Sequence, residues 1–199
     1  MNHLAHALLA DTGDAEFALG SALGDFVHGP PDRAWPAARR AGLRFHRAID
    51  HFTDAHPEVV AARRVFAPPM RRYAGIVLDV WFDYLLIRDW QHYVHTESVS
   101  AFATRWLALL DAHVVDLPAP YRRFLAYMHA HALPAAYGDP ATLSAVFGGL
   151  AKRLSHPWPA GAALPALEAH AAALQPHFDR FFPEIVAYAT RLRSGAMTP

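Results

Sequence analysis

The sequence of 199 residues contains no cysteine. Disulfide bonds, thiolate zinc sites and cysteine nucleophiles are therefore excluded. Any metal ion that this protein binds must be held by nitrogen and oxygen ligands, because thiolate sulfur is unavailable.

The sequence also lacks an excess of charge of either sign. Its 18 basic and 18 acidic residues give a formal net charge of +0, and Lys152 is the only lysine. This balance argues against a protein that binds nucleic acid through bulk positive charge. Local basic patches stay open, although GC-rich codon usage alone accounts for the preference for arginine.

A long hydrophobic run is missing too. The most apolar segment, residues 74–87, is too short to span a bilayer. The first residues read MNHLAHALLADTGDAEF, without the basic start of a secretory leader. We expect a soluble cytoplasmic protein that binds neither membrane nor nucleic acid.

Alternating polar and apolar residues, the pattern of a half-buried strand, are nearly absent. Helical spacing predominates instead, and breaks rich in proline or glycine fall between the helical segments. Hydrophobic residues make up 53% of the chain, enough for a substantial core. We predict one compact all-α domain over residues 1–199. Its helices are expected at Asn2–Leu9, Asp14–Val27, Ala37–Ala55, from Pro57 onward, Arg71–Trp90, Val99–Val115, Pro120–Ala132, Asp139–Leu154 and Pro165–Arg193.

Two aspartates interrupt the apolar segment AGIVLDVWFDYLLI. Asp79 and Asp83 are spaced i, i+4, which places both carboxylates on one face of a helix. Such pairs usually lie on a solvated face, but the apolar neighbours here leave little room for one. Burying an anion costs several kcal/mol unless a cation or hydrogen-bond donors compensate it. The pair therefore favours a divalent metal site.

Other residues have the same chemistry. His46 and Asp50 repeat the i, i+4 spacing in RFHRAIDHFTD, so an imidazole and a carboxylate share a helix face. Asp25 follows the apolar stretch FALGSALGDFV near the end of a helix, where the dipole disfavours an anion. These residues are candidate ligands of the same ion.

Several further residues have two possible roles, one structural and one functional. His3 and His6 lie on a short apolar helix, where a buried histidine bonded to a backbone carbonyl is the commoner role. Asp54 serves equally well as a cap or as a ligand. Arg47 and Arg153 are candidates for phosphate contact, although an arginine at a helix end is also favoured by the dipole.

Several segments together resemble the acyl carrier protein phosphodiesterase family over nearly the whole chain. They are MNHLAHALLA, GSALGDFVHG, LRFHRAIDHFTDAHPEV, LDVWFDYLL, VFGGLAKR and FDRFFPEIVAYA, in this order. The resemblance implies an all-α fold related to the HD-type metal-dependent phosphohydrolases. It also implies hydrolysis of holo-acyl carrier protein, which is acidic, with release of 4′-phosphopantetheine. Tyr84 follows Asp83 where members of the family carry histidine.

The resemblance also implies a division of roles. Asp25, His46, Asp50 and Asp79 match motifs that would hold a divalent ion, with Mn²⁺ preferred and Mg²⁺ or Fe²⁺ as alternatives. The remaining roles are hypotheses: Asp83 orients or deprotonates the attacking water, or is a further ligand if two ions bind. His6 protonates the leaving serine oxygen, and Arg47 neutralises the phosphate.

Two other functions stay open. A phosphohydrolase acting on a nucleotide or another small phosphate ester would use the same metal site without a surface for a carrier protein. A non-enzymatic helical binding module would instead use the buried acids in structural ion pairs. Arginine pairs at 39–40, 63–64, 71–72 and 122–123 are candidate docking residues for a carrier protein.

Overall fold

Helices form nearly all of the regular structure. The computed structural model describes residues 3–152 and 158–195, and it contains no strand within these ranges. The α-helices are α1 (His3–Leu9), α2 (Ala15–Ala22), α3 (Ala37–Ala55), α4 (Pro57–Val65), α5 (Ala74–Arg88), α6 (Trp90–Tyr93), α7 (Val99–Ala112), α8 (Ala119–Ala130), α9 (Pro140–Ala151) and α10 (Ala160–Arg193). The predicted all-α class is confirmed.

Helix α5 runs through the hydrophobic core. Its buried residues include Val77, Leu78, Val80 and Leu86, which point in several directions around the helix. A helix that is apolar on all sides is stable only when other helices cover it. Here α1, α4 and α10 all contact α5.

Helices α2 and α3 pack with their backbones in direct contact. A Cβ added to Gly20 would lie 2.0 Å from the carbonyl oxygen of Arg39, and one added to Gly42 would lie 2.0 Å from that of Phe17. Both positions therefore require glycine. Arg39 also joins these helices, because it is buried and forms two hydrogen bonds with Glu16, at 2.7 and 3.1 Å.

The ends of the predicted helices differ from the structure in several places. The segment predicted as one helix over Asp14–Val27 ends at Ala22 and continues as a 3₁₀ turn, Gly24–Phe26. A second 3₁₀ turn, Met70–Tyr73, precedes α5. Helix α10 starts at Ala160 and includes Pro165, because packing of residues such as Phe178 and Phe182 stabilises a helix that its prolines disfavour.

Within the described part of the chain, no helix combines the length and hydropathy needed to cross a bilayer.

Candidate metal centre

Two histidines and an aspartate from two helices meet beneath the surface. His6 lies on α1, and His46 and Asp50 lie one turn apart on α3. His6 Nε2 is 2.9 Å from Asp50 Oδ1, and His46 Nε2 is 3.1 Å from Asp50 Oδ2. One nitrogen or oxygen atom from each residue lies within 4.8 Å of the other two. We call these three residues the His–His–Asp cluster.

Asp25 lies at the edge of this cluster. Its Oδ1 is 3.5 Å from His46 Nε2, and its Oδ2 is 4.0 Å from His3 Nδ1. The 3₁₀ turn that carries Asp25 packs against the ring of His46, since a Cβ added to Gly24 would lie 2.0 Å from His46 Cδ2. Only glycine at position 24 leaves room for this ring. The sequence analysis did not select Gly24, although it directly precedes the candidate ligand Asp25.

The cluster is buried on the imidazole side and open on the carboxylate side. The side chains of His6 and His46 are 5% and 4% exposed, whereas those of Asp50 and Asp25 are 40% and 55% exposed. A substrate from solution therefore reaches the cluster beside the two aspartates.

A small cavity of about 10 Å³ adjoins the two imidazoles, and Ser21 also lines it. This is enough space for roughly one ion or water molecule. Within the described ranges, His46 Nε2, His6 Nδ1 and Ser21 Oγ are buried without a hydrogen bond of good geometry. Unpaired buried polar atoms are unfavourable, and a bound cation relieves this cost at His46 Nε2. The residues therefore fit a divalent ion.

Charges within the cluster shift its protonation strongly. Burial, together with the neighbouring His46, lowers the pKa of His6 to about 4. Burial also acts to lower the pKa of His46, but Asp25 and Asp50 outweigh it and raise this pKa to about 9. The imidazoles in turn hold the pKa of both carboxyls well below the usual range, although burial opposes this. Without an ion, His46 carries the proton and His6 is neutral.

Asp83 lies elsewhere, at the amino end of α1. It is completely buried, and its carboxylate accepts hydrogen bonds from the backbone N–H groups of Leu4 at 2.8 Å and Ala5 at 3.2 Å. Burial raises the pKa of Asp83 to about 7, although these two N–H donors act to lower it. The structure thus places Asp83 where it holds α1, the helix that carries His6.

The other predicted residues are not members of the His–His–Asp cluster. Asp79 is partly buried on α5, near enough for its charge to raise the pKa of Asp83, and it does not join the cluster. Arg47 Nη2 donates a hydrogen bond to the carbonyl oxygen of Val27 at 2.7 Å.

Tyr84, which stands where members of the acyl carrier protein phosphodiesterase family carry histidine, stacks on Trp81, with ring centroids 4.5 Å apart. Arg153 lies outside the described residues.

The four arginine pairs do not form continuous basic surfaces. Neighbouring residues on a helix point in different directions, and at least one arginine of each pair is used within the fold. Arg39 bonds to Glu16, Arg63 to Asp54, Arg71 to the carbonyl oxygen of Phe66, and Arg122 to that of Leu117.

Comparison with known proteins identifies the family of this chain. The family described as "Acyl carrier protein phosphodiesterase" matches residues 1–185. The chain belongs to the acyl carrier protein phosphodiesterase family. A relative of that name from Photorhabdus laumondii is 32% identical over 189 residues, which cover 95% of each chain. The one from Escherichia coli O157:H7 is 32% identical over 96% of this chain and 98% of its own, and the one from Yersinia pestis is 31% identical over 95% and 97%.

No solved structure shows a significant match to this member of the family. The relation of its fold to the HD-type phosphohydrolases therefore stays a prediction. The resemblance expected from the sequence motifs is confirmed by the matches over nearly the whole chain.

Proposed function

We propose that this protein hydrolyses the phosphodiester that links 4′-phosphopantetheine to the serine of holo-acyl carrier protein, giving apo-acyl carrier protein. The observation that carries this proposal is the His–His–Asp cluster, which brings together ligands of the type that a metal-dependent phosphodiesterase uses, in a chain that belongs to this family.

The proposed ligands are His6, His46 and Asp50, with Asp25 completing the set from the exposed side. Mn²⁺ is the proposed ion, and Mg²⁺ and Fe²⁺ suit the same donors. Such an ion supplies a bound water of lowered pKa and polarises a phosphoryl oxygen. We propose His6 as a ligand in place of its predicted role as a proton donor, because its buried Nε2 lies 2.9 Å from Asp50, another proposed ligand.

The other residues of the site orient the attacking water, hold α1 in place and offset the charge of the phosphate. Asp25 is the most exposed carboxylate at the opening, so it is placed to orient an attacking water by accepting a hydrogen bond from it. Asp83 is a positioning residue in this proposal, since both of its hydrogen bonds hold the backbone of α1. Arg47 holds the carbonyl of Val27, two residues after Asp25, and lies about one turn from Asp50 on α3, where its charge would offset that of a phosphate at the opening.

The test is incubation with holo-acyl carrier protein and Mn²⁺, reading loss of the prosthetic group by mass. We expect Asp50→Ala to bind little Mn²⁺ and to leave the carrier protein intact. Asp54→Ala is the matched control, because it removes an exposed carboxylate one turn further along α3 that bonds to Arg63. This control should retain metal and activity. Full activity of Asp50→Ala would refute the site.

A small phosphate ester supplied in place of holo-acyl carrier protein separates the proposed function from that of a general phosphohydrolase. Efficient hydrolysis of nucleotides without action on the carrier protein would favour the latter. A purified protein that binds no divalent ion and hydrolyses neither substrate would instead be the non-enzymatic module.

A further inference from the structure

The solvent side of α3 carries a row of basic residues. Arg40, Arg44, Arg47 and His51 are spaced by four, three and four residues, which aligns them along one face of the helix. We call these four residues the basic stripe. At 1.5 Å per residue the stripe is about 16 Å long, which exceeds the length of a single phosphate group.

The charge of the basic stripe is not neutralised by the fold. Within the described ranges, Arg44 and His51 have no hydrogen-bond or ion-pair partner, and Arg47 bonds only to a carbonyl oxygen. Arg40 likewise donates to the carbonyl oxygens of Arg33 and Trp35. Arginines elsewhere, such as Arg105 and Arg180, bond instead to carboxylates. The stripe is therefore free to attract an external anion.

A groove of about 320 Å³ runs along the basic stripe where α3 approaches α10. Arg44, Arg47 and His51 line it together with Ala48 and Tyr188. The Tyr188 ring is fixed by stacking on Phe52, with ring centroids 4.3 Å apart. The groove thus combines basic groups with an aromatic and an aliphatic contact, a combination typical of protein-binding surfaces.

The basic stripe also borders the open side of the metal centre. Arg47 lies three residues before Asp50 on α3, about one turn away, and it bonds to the carbonyl oxygen of Val27, two residues after Asp25. A partner bound along the stripe therefore lies beside the opening through which a phosphodiester reaches the His–His–Asp cluster.

We propose that the basic stripe is the docking surface for the acidic face of the carrier protein. This inference rests on the proposed function, which supplies an acidic macromolecular substrate. Complementary charge guides such a partner to the groove and fixes its orientation, so that its phosphodiester meets the metal centre. A small phosphate ester needs no stripe of this length.

The experiment measures binding and turnover separately. Apo-acyl carrier protein lacks the phosphodiester, so its binding, measured by titration calorimetry, reports on the docking surface alone. We expect Arg44→Glu to raise the Kd for apo-acyl carrier protein, and the KM for the holo form, by roughly three- to tenfold. The effect on hydrolysis of bis-p-nitrophenyl phosphate should be much smaller. Added salt should weaken wild-type binding more than binding by Arg44→Glu.

Arg72→Glu is the matched control. Arg72 is exposed near Tyr73, away from the stripe in sequence, and the substitution makes the same change in charge. It should leave the binding of apo-acyl carrier protein unchanged.

Equal Kd values of wild type, Arg44→Glu and Arg72→Glu for apo-acyl carrier protein would overturn the docking inference. The inference would also fail if single-stranded DNA bound to the basic stripe as tightly as the carrier protein does. These results leave the proposed function standing if the wild type still releases the prosthetic group. Failure of the wild type to release it refutes the proposed function, whatever the binding data show.

Discussion

At the scale of single residues, Gly24 has as much influence on the metal centre as the ligands. Its backbone lies against His46, and no space exists between them for a side chain. We expect Gly24→Ala to displace the His46 ring or the turn that carries Asp25. Either shift separates the ligands, so bound metal and activity should fall by at least about tenfold, the scale of effect of disturbing the groups that orient a ligand.

The control for this substitution is Gly161→Ala, because nothing lies within 4 Å of a Cβ added to Gly161 in the first turn of α10. This variant should match the wild type in metal content and in melting temperature or slightly exceed it, since alanine favours a helix. Normal metal binding by Gly24→Ala, measured by calorimetry, would contradict this prediction. It would show that the 3₁₀ turn accommodates the added methyl group without displacing His46.

Residues that depend on local spacing were easiest to predict. His46 and Asp50 share a face of α3 because i, i+4 residues always do so on a continuous helix. His6 was harder to place, because its position beside them depends on how α1 packs, and local spacing carries no information on that. Asp79 and Asp83 satisfied the same spacing rule, yet burial of the α5 segment gave Asp83 backbone donors as partners.

At the scale of elements, α1 is held at both ends. Asp83 accepts from its first N–H groups, and Arg193 from α10 donates to the carbonyl oxygen of Leu9 at the other end. An isolated helix of seven residues is unstable in water. Burial of residues such as Leu4 and these two contacts are therefore what keep His6 in place.

Substitutions of Asp83 test this anchoring role. Asp83→Ala leaves two N–H groups buried without acceptors, at a cost of roughly 1–3 kcal/mol each. We expect a lower melting temperature and weaker metal binding. Asp83→Asn keeps one acceptor, so its melting temperature should lie between those of Asp83→Ala and the wild type.

Asp79→Asn should bind Mn²⁺ as the wild type does. Loss of metal binding in this variant would instead identify Asp79 as a ligand.

The contribution of Asp83 to the stability of the folded protein should also depend on pH. Burial raises its pKa to about 7 in the folded protein, against about 3.9 for an exposed aspartate. The folded state therefore binds the proton more tightly, and stability falls as the pH rises from about 4 to 7. Denaturant unfolding of Asp83→Asn should lack this part of the pH dependence. An unchanged profile would assign the dependence to other groups.

The boundaries of elements were less predictable than their existence. The sequence 15–27 has helical spacing throughout, but close packing of Gly24 on His46 favours a 3₁₀ turn over a continued helix. Helix α10 starts before Pro165 because tertiary packing outweighs the local cost of proline. Such effects arise from residues far away in the sequence, so local patterns do not contain them.

At the scale of the whole molecule, a bound ion would join α1 to α3. Ligands from both helices must be in place for it to bind, so binding stabilises the folded state over the unfolded one. At about 100 times its Kd, Mn²⁺ should add about 2.7 kcal/mol and raise the melting temperature by roughly 5–10 °C. Asp50→Ala should show no such rise.

The size of this thermal shift should depend on pH. His46 must lose its proton to bind the ion, and its pKa in the metal-free cluster is raised to about 9. Apparent metal affinity should therefore increase with pH up to about 9, and the shift should shrink as the pH falls from 8 toward 5. His6, with its pKa lowered to about 4, adds little competition in this range. A shift that is constant over this range would argue against His46 as a ligand.

The two imidazoles lie face to face, with ring centroids 3.8 Å apart and planes inclined by 17°. Each ring therefore sits in the magnetic shielding cone of the other. The carbon-bound protons of His6 and His46 should resonate upfield of those of exposed histidines in a nuclear magnetic resonance spectrum. Paramagnetic Mn²⁺ broadens the signals of nearby nuclei, so its binding should erase these two pairs of resonances first, and their loss would locate the ion without any substrate.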